Sequence, residues 1–188
     1  MASKNVGMNI DTGEKTWLTP RYFFDHLGHF DTDPCVPPNM PWETADRMYT
    51  KDMDGLVQPW HGRVWLNPPY GREATPFLRR MVAHRDEGGG IALVFARTDT
   101  ALWHDIIVPN ASSILFLRGR VKFLKPDGSA GETAPAPSAL IGFGESEAEL
   151  LAAKSADGSL PGFYINIARK PNALALGVCQ VRLRGIIN

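Results

Sequence analysis

The run Ile91-Ala92-Leu93-Val94-Phe95 is the feature that most constrains the fold of this chain. It contains five consecutive apolar residues and directly follows three glycines, at positions 88–90. A strand with one solvated face alternates apolar and polar side chains, whereas an uninterrupted apolar strand is typical of burial on both faces. Such burial requires a packed layer on each side of the sheet, which helices supply in α/β proteins. The run therefore predicts an α/β fold around a central sheet.

The remaining sequence alternates further predicted strands with predicted helices. Thr19-Pro20 is typical of a helix start, with Thr19 as the N-cap residue and Pro20 in the first turn. We predict further helices at 75–85, 100–107 and 145–154, and further strands at 30–33, 63–66, 113–117, 119–124, 139–143 and 163–167. The strands late in the chain predict an antiparallel hairpin added to a mixed sheet.

The domain organisation is predicted to be simple. Residues 1–15 are polar and lack periodicity, so we expect a flexible arm, followed by one compact domain over 16–188. Residues 36–59 are expected to be irregular, and 125–138, rich in Pro, Gly and Ala, to form a mobile loop.

Bulk composition predicts a soluble, cytoplasmic protein. The chain lacks an apolar run of about 18 residues and a positively charged leader before an apolar segment. The two cysteines, Cys35 and Cys179, are too few for a disulfide framework or a zinc site. The five histidines show no metal-ligand spacing, so we predict neither a metal nor a membrane contact. Nothing in the sequence predicts an oligomeric state.

Charge is distributed unevenly although the formal net charge is zero. Residues 61–125 hold ten Lys and Arg against five acids, a local excess of +5, and residues 1–60 hold five bases against nine acids, a local −4. One interpretation is ordinary mixing of surface charge. The other is a basic face beside residue 67 and an acidic pocket suited to a cofactor with positive charge and ribose hydroxyls.

Asn67-Pro68-Pro69-Tyr70 directly follows the apolar run Val64-Trp65-Leu66. Because open α/β sheets bind ligands beyond the carboxyl ends of their strands, we expect the tetrapeptide at that edge. The prolines stiffen the turn and lack backbone N–H groups, which leaves the Asn67 amide and the following carbonyl to face a ligand. Oxygens there can accept the hydrogens of an NH2 group while Tyr70 stacks on its ring. The tetrapeptide thus predicts a site for a planar ligand that carries NH2.

Four aspartates are weaker candidates for ligand binding. Asp31 and Asp33 end the first predicted strand, where a ribose or an amine is commonly held, but solvated turn aspartates are the more ordinary interpretation. Asp52 and Asp54 suit an adenine amine or a ribose hydroxyl, or simply a polar turn. The chain has no Gly-x-Gly-x-x-Gly, Walker or Gly-x-Ser-x-Gly motif, so dinucleotide binding, phosphate-loop chemistry and acyl transfer are not supported.

Six blocks follow one another along the chain: Trp17-Leu18-Thr19-Pro20, Asp31-Thr32-Asp33-Pro34-Cys35, Asp54-Gly55-Leu56 with Trp60, Asn67-Pro68-Pro69-Tyr70, Arg97-Thr98-Asp99-Thr100 with Trp103-His104, and Arg118-Gly119-Arg120-Val121-Lys122-Phe123. In this order they resemble the phage-type DNA N6-adenine methyltransferases (phage Dam family). The resemblance runs from about residue 16 to residue 144. Asn-Pro-Pro-Tyr alone also marks glutamine and RNA amino-methyltransferases, so the ordered set is what indicates adenine in DNA.

The resemblance implies a Rossmann-like methyltransferase fold that binds S-adenosyl-L-methionine. It places Thr19, Pro20, Asp33, Asp54 and Asn67 at the cofactor. It implies that Asn67-Pro68-Pro69-Tyr70 holds a flipped adenine for direct in-line methyl transfer, with Phe123 helping Tyr70 to sandwich the base. The chain departs from larger methyltransferases because no glycine-rich loop follows Asp33.

The same resemblance implies DNA as partner, in the cytoplasm of a bacterial host. Candidate phosphate contacts, each equally consistent with a solvated surface charge, are Arg72, Arg79, Arg80, Arg118, Arg120 and Lys122. Two alternatives stay open at this point. One is amino-methylation of RNA or of a protein glutamine, and the other is cofactor or DNA binding without turnover.

Overall fold

The computed structural model describes residues 17–125 and 127–167. The arm predicted for 1–15 and the last part of the predicted domain, 168–188, lie outside the described residues. Within the described part of the chain, no helix is long and apolar enough to cross a membrane.

A seven-stranded sheet forms the centre of the molecule. Across the sheet the strands lie in the order β2 (Arg47–Met48), β1 (Thr32–Asp33), β3 (Val64–Leu66), β4 (Gly90–Phe95), β8 (Ser138–Phe143), β5 (Ser113–Leu117) and β9 (Gly162–Asn166). The first four are parallel, β8 runs antiparallel between β4 and β5, and β9 is antiparallel to β5. The carboxyl ends of β1, β3, β4 and β5 therefore share one edge of the sheet.

Helices cover both faces of this sheet. On one face α1 (Tyr22–Leu27) and α4 (Glu145–Ala156) pack over side chains that include Trp65, Leu93 and Leu115. On the other face lie α2 (Ala74–His84) and a π-helical segment, Leu102–Ile107, which continues into the short helix α3 (Val108–Asn110). Because residues 90–94 are all buried, the α/β architecture predicted from the apolar run is confirmed.

A small antiparallel hairpin, β6 (Lys122–Leu124) and β7 (Ala130–Thr133), forms a sheet of its own. The expectation of a loop throughout 125–138 is therefore wrong, and the predicted strand at 119–124 is shorter than expected. A Cβ atom at position 131 would lie only 2.4 Å from the Phe123 carbonyl oxygen, so the glycine lets β7 approach β6 closely. Gly131 contributed to the loop prediction, but in the structure it is required for the pairing of the two strands.

Other element boundaries also differ from expectation. The first strand is confined to Thr32–Asp33, and β2 lies inside the segment expected to be irregular. Both strands are short, and β1 pairs with β2 and with β3 at positions distant in sequence, which no local periodicity signals. The N-cap interpretation of Thr19 is wrong, because α1 begins at Tyr22 and the Thr19 hydroxyl bonds elsewhere.

Candidate active site

The carboxyl edge of the sheet gathers the site. Asn67 directly follows β3, Phe95 ends β4, and Ser138 begins β8 opposite Phe95 in the strand register. Side chains alternate between the faces of a strand, so Asn67 and Phe95 lie on the same face as Trp65 and Leu93. The hairpin β6–β7 contributes Phe123 to the same face. The site therefore forms between the sheet, the hairpin and the segment that precedes α1.

Thr19 orients the Asn67 amide. The Asn67 Nδ2 group donates a hydrogen bond to the Thr19 hydroxyl over 3.0 Å. Thr19 is itself held in place, because the backbone of Leu18 pairs with Leu124 of β6 through two hydrogen bonds of 2.9 and 3.0 Å. The segment 17–20 thus ties Asn67 to the hairpin.

The Asn67 side-chain oxygen is buried and accepts no hydrogen bond from any group in the described residues. A buried polar atom left without a partner costs about 1–3 kcal/mol, so native proteins rarely keep one without a use. The oxygen is an acceptor, and the complementary ligand group is an N–H or O–H donor. This atom is the most direct sign of a ligand at the corner.

Tyr70 lies flat against Phe95. The two ring centroids are 4.0 Å apart with an interplanar angle of 12°, whereas Phe123 meets Tyr70 edge to face at 6.3 Å and 70°. The predicted sandwich of a base between Tyr70 and Phe123 needs parallel rings, so one ring would have to turn. Desolvation of its hydroxyl raises the pKa of Tyr70, which keeps the side chain neutral.

Asp33 is a buried carboxyl group at the carboxyl end of β1. Its oxygens accept hydrogen bonds from the Cys35 backbone N–H at 2.9 Å and from the Thr44 hydroxyl at 2.6 Å. Burial raises the pKa of Asp33 to about 6, and the two hydrogen bonds oppose that shift. An ionised carboxylate here lacks a cationic partner among its hydrogen-bonding groups, so the position suits a positively charged ligand.

Asp54 lies in an exposed turn that packs against the segment following Asp33. Its backbone is left-handed, with φ 53°, and its carboxylate accepts a hydrogen bond from the Leu56 N–H at 3.1 Å. At Gly55 a Cβ atom would lie 1.9 Å from the Pro34 carbonyl oxygen, so the turn packs against the residue that follows Asp33. The structure therefore brings the Asp33 and Asp54 segments together, while Asp54 keeps the turn geometry that the polar-turn interpretation expects.

The six candidate phosphate contacts divide into two groups. Arg72, Arg118, Arg120 and Lys122 are exposed and follow β3 or β5 at the carboxyl edge. Arg79 and Arg80 lie on α2, across the sheet from Tyr70. Arg80 donates to the carbonyls of Gly55, Leu56 and Gln58 and lies 4.7 Å from the Trp60 ring. These contacts commit Arg80 to holding the 55–60 segment, so its interpretation as a phosphate contact is not retained.

Several residues at the site were not predicted. Phe95 looked like an ordinary core residue of β4, and Thr44 fell within the segment expected to be irregular. Arg97 has its guanidinium 5.9 Å from the Phe95 ring. Ser138 is buried, and its hydroxyl has no hydrogen-bond partner within the described part of the chain. Only Arg97 carried a signal, because its block contributed to the family resemblance without an assigned role.

A cavity of about 560 Å³ lies away from this corner, between α1 and residues 42–46. Next to it, ligand atoms of His29, Asp31 and Asp46 lie within 4.8 Å of one another. His29 Nε2 is 3.3 Å from an Asp46 carboxylate oxygen, and both side chains are exposed. This group precedes β1 and β2, at the opposite edge of the sheet from Asn67.

Comparison with known proteins gives two matches. The family model described as DNA N-6-adenine-methyltransferase (Dam) matches residues 9–154. The chain is also similar to a DNA N-6-adenine-methyltransferase of Escherichia phage T1, with 24% identity over 113 residues. That alignment covers 57% of this chain and 46% of the phage protein, so the chain matches about half the length of this relative.

Proposed function

The chain belongs to the family of DNA N-6-adenine-methyltransferases (Dam), and we propose on this basis that it transfers a methyl group from S-adenosyl-L-methionine to the N6 amine of adenine in DNA. The single observation that carries the proposal is the buried, unpartnered oxygen of Asn67. It is a hydrogen-bond acceptor fixed beside an exposed aromatic ring, which matches a planar ring that carries NH2.

Residues around Asp33 are proposed to hold the cofactor within a Rossmann-like arrangement of the sheet. When bound, S-adenosyl-L-methionine supplies a methyl group on a positively charged sulfur atom and also carries an ammonium group. The buried Asp33 carboxyl, with its pKa raised to about 6, fits such a cation because an opposite charge would relieve its desolvation. Thr19, Pro20, Asp54 and Asn67 complete the proposed cofactor contacts.

Asn67 is proposed to act on the amine of the target base. The N6 lone pair of adenine is delocalised into the ring, which makes the nitrogen a poor nucleophile. If the Asn67 side-chain oxygen and the Pro68 carbonyl accept its two hydrogens, the nitrogen is biased towards a geometry that localises the lone pair. The contribution of these residues is positioning and electrostatic complementarity, and no general base is required.

The target adenine is proposed to leave the duplex before it reaches Asn67. Flipping costs a few kcal/mol, and stacking on an aromatic side chain can return about 1–3 kcal/mol per contact. Tyr70 offers an exposed ring for this stacking, and Phe123 lies beside it. Arg72, Arg118, Arg120 and Lys122 are proposed to contact the phosphates around the flipped nucleotide.

A second candidate function is methylation of another planar NH2 group, in RNA or in a protein glutamine. The Asn67 acceptor favours it as much as it favours adenine, because each of these groups presents two N–H donors in one plane. Family membership favours DNA. A third possibility is binding of cofactor or DNA without turnover.

The deciding experiment incubates the full chain with methyl-labelled S-adenosyl-L-methionine and separate pools of DNA, RNA and protein. We expect label in DNA alone, recovered after digestion as N6-methyladenine. Matched DNA in which purine, without its 6-amino group, replaces adenine should stay unlabelled. Label in RNA or protein alone would establish the second candidate, and cofactor binding measured by calorimetry without any labelled product would establish the third.

A further inference from the structure

We propose that Phe95 is a positioning residue that holds Tyr70 flat, so that the outer face of Tyr70 receives the target base. This inference rests on the proposed function and assigns a task to a residue that lies outside the Asn67-Pro68-Pro69-Tyr70 tetrapeptide. It also implies a layered stack, Phe95, Tyr70 and base, in place of a slot between Tyr70 and Phe123.

The ring geometry leaves one face of Tyr70 for a ligand. At 4.0 Å and 12° the Tyr70 and Phe95 rings are in van der Waals contact, so no base fits between them. Phe123 approaches edge to face at 6.3 Å, and therefore does not cover the second face as a parallel layer. The residue Tyr70 keeps 38% of its surface exposed. The surface free for stacking is the face that points away from Phe95.

Phe95 is well anchored at the end of β4. Its carbonyl accepts a hydrogen bond from Trp103 Nε1 at 2.9 Å. Its backbone pairs with Ser138 in the sheet register, and the next residue, Ala96, donates to the Pro137 carbonyl at 2.7 Å. These contacts tie the backbone of Phe95 to two other segments of the protein, so its ring is carried by a well-anchored strand end.

Tyr70 has fewer constraints of its own. It follows Pro69, which is exposed, and precedes Gly71, whose φ is +86°. A Cβ atom added at Gly71 would meet no atom within 4 Å in the described structure. The backbone around Tyr70 is therefore open on the solvent side. Contact with Phe95 is what orders the ring before DNA arrives, and a pre-ordered ring loses less conformational entropy when it stacks on a base.

The substitution Phe95→Leu tests this support, because leucine keeps an apolar side chain at the end of β4 but offers no flat ring. We expect the rate of methyl transfer to DNA to fall about 3- to 10-fold, the loss typical of an aromatic pair, with the KM for S-adenosyl-L-methionine unchanged. Phe95→Tyr, which retains the ring, should restore the rate to within about twofold of wild type.

Phe24→Leu is the matched control. Phe24 lies on α1, is partly buried like Phe95, and packs against Trp65 with ring centroids 5.1 Å apart, beside the cavity that lies away from Asn67. The same loss of a packed ring there should leave the rate on DNA unchanged. If Phe95→Leu lowers the rate no more than Phe24→Leu does, Phe95 has only a packing role and the inference is wrong.

A second measurement reports on Tyr70 without any turnover. Protein labelled with 3-fluorotyrosine gives a fluorine resonance for Tyr70, assigned as the signal missing from Tyr70→Phe. We expect Phe95→Leu to shift this resonance in the free protein and in the DNA complex, and Phe24→Leu to leave it unchanged. If Phe95→Leu leaves the Tyr70 resonance at its wild-type position, either in the free protein or in the DNA complex, the inference is wrong. Absence of any DNA methylation by wild type overturns the proposed function instead, while the resonance still tests the support.

Discussion

The two ends of β3 use polar side chains in opposite ways. At the amino end, Arg63 donates to both carboxylate oxygens of Glu147, at 2.6 and 2.7 Å, and to the carbonyls of Leu27 and His29 at 2.8 and 2.7 Å. At the carboxyl end, only four residues later, Asn67 makes one hydrogen bond and leaves its buried oxygen without an acceptor role in the described structure.

The difference separates a structural task from a ligand-binding task. Arg63 also lies 4.1 Å from the Phe30 ring, so its contacts fasten α1, the segment that precedes β1, and α4 to one end of the strand. With four of its five N–H groups bonded, the guanidinium has little left to offer a ligand. Asn67 follows the same strand but keeps an acceptor that folding alone does not use. A pre-organised site requires a rigid support and a free ligand-binding atom. The Arg63 contacts supply the support at one end of β3, and the unpartnered Asn67 oxygen supplies the binding atom at the other.

The largest effect on stability should come from breaking the Arg63–Glu147 ion pair at the amino end of β3. Glu147 is almost fully buried, and Glu147→Ala leaves the Arg63 charge without its carboxylate. Loss of one partner of a buried ion pair typically costs about 3–5 kcal/mol, so we expect a fall of that order in the free energy of unfolding measured by denaturant titration. The exposed neighbour in α4, Glu149→Ala, is the control and should change it by less than about 0.5 kcal/mol. An equal effect of both substitutions would show that the pair adds nothing specific.

The next largest effect should come from Asn67 at the carboxyl end of β3. We expect it to appear in activity rather than in stability. Asn67→Ala removes an acceptor that the fold does not use, so the free energy of unfolding should change by only about 1 kcal/mol, from the bond lost to Thr19. Methyl transfer to DNA should fall by about 10²–10³ if the oxygen holds the amine in the transition state. The control is Asn166→Ala, an exposed amide on β9. Wild-type turnover in Asn67→Ala would remove Asn67 from the site.

Asp33 extends the comparison to the neighbouring strand, because it too carries a polar group whose burial is not fully compensated. Its pKa is raised from 3.8 to about 6, so the folded state favours the neutral acid. Stability from this group is present below pH 4 and is lost as the pH rises through about 6. Between these limits the free energy of unfolding should fall by about 2–3 kcal/mol relative to Asp33→Asn. Parallel pH profiles of the two proteins in denaturant titrations would contradict this.

Patterns of neighbouring residues were enough to predict the framework of the site. The apolar run 91–95 is the central strand, and Asn67 does follow a buried strand at the carboxyl edge of the sheet. Both predictions depend on local information, namely an uninterrupted apolar segment and the residues directly after it. The link between Thr19 and Asn67 was expected only through the family resemblance, since the two residues are 48 positions apart.

What the sequence did not predict depends on contacts between distant segments. Phe95 meets Tyr70 because β3 and β4 are neighbours in the sheet, and Thr44 reaches Asp33 because β2 pairs with β1. Arg72 and Arg80 look alike as sequence, yet one is exposed beside Tyr70 and the other is bonded to backbone carbonyls. The two arginines differ only in their tertiary environment, and local sequence does not predict that environment.

The smallest predicted effect concerns the exposed candidate phosphate contacts near Asn67. Lys122 lies on β6, on the outer side of the strand that places Phe123 beside Tyr70. Lys122→Ala should weaken DNA binding similarly for all sequences and reduce the slope of log affinity against log salt by about 1, because one phosphate contact is lost. Lys154→Ala, which removes a charge from α4 near Asp157, is the control and should leave the slope unchanged. If both variants keep the wild-type slope, DNA does not contact Lys122, and the proposed path of DNA along the hairpin is wrong.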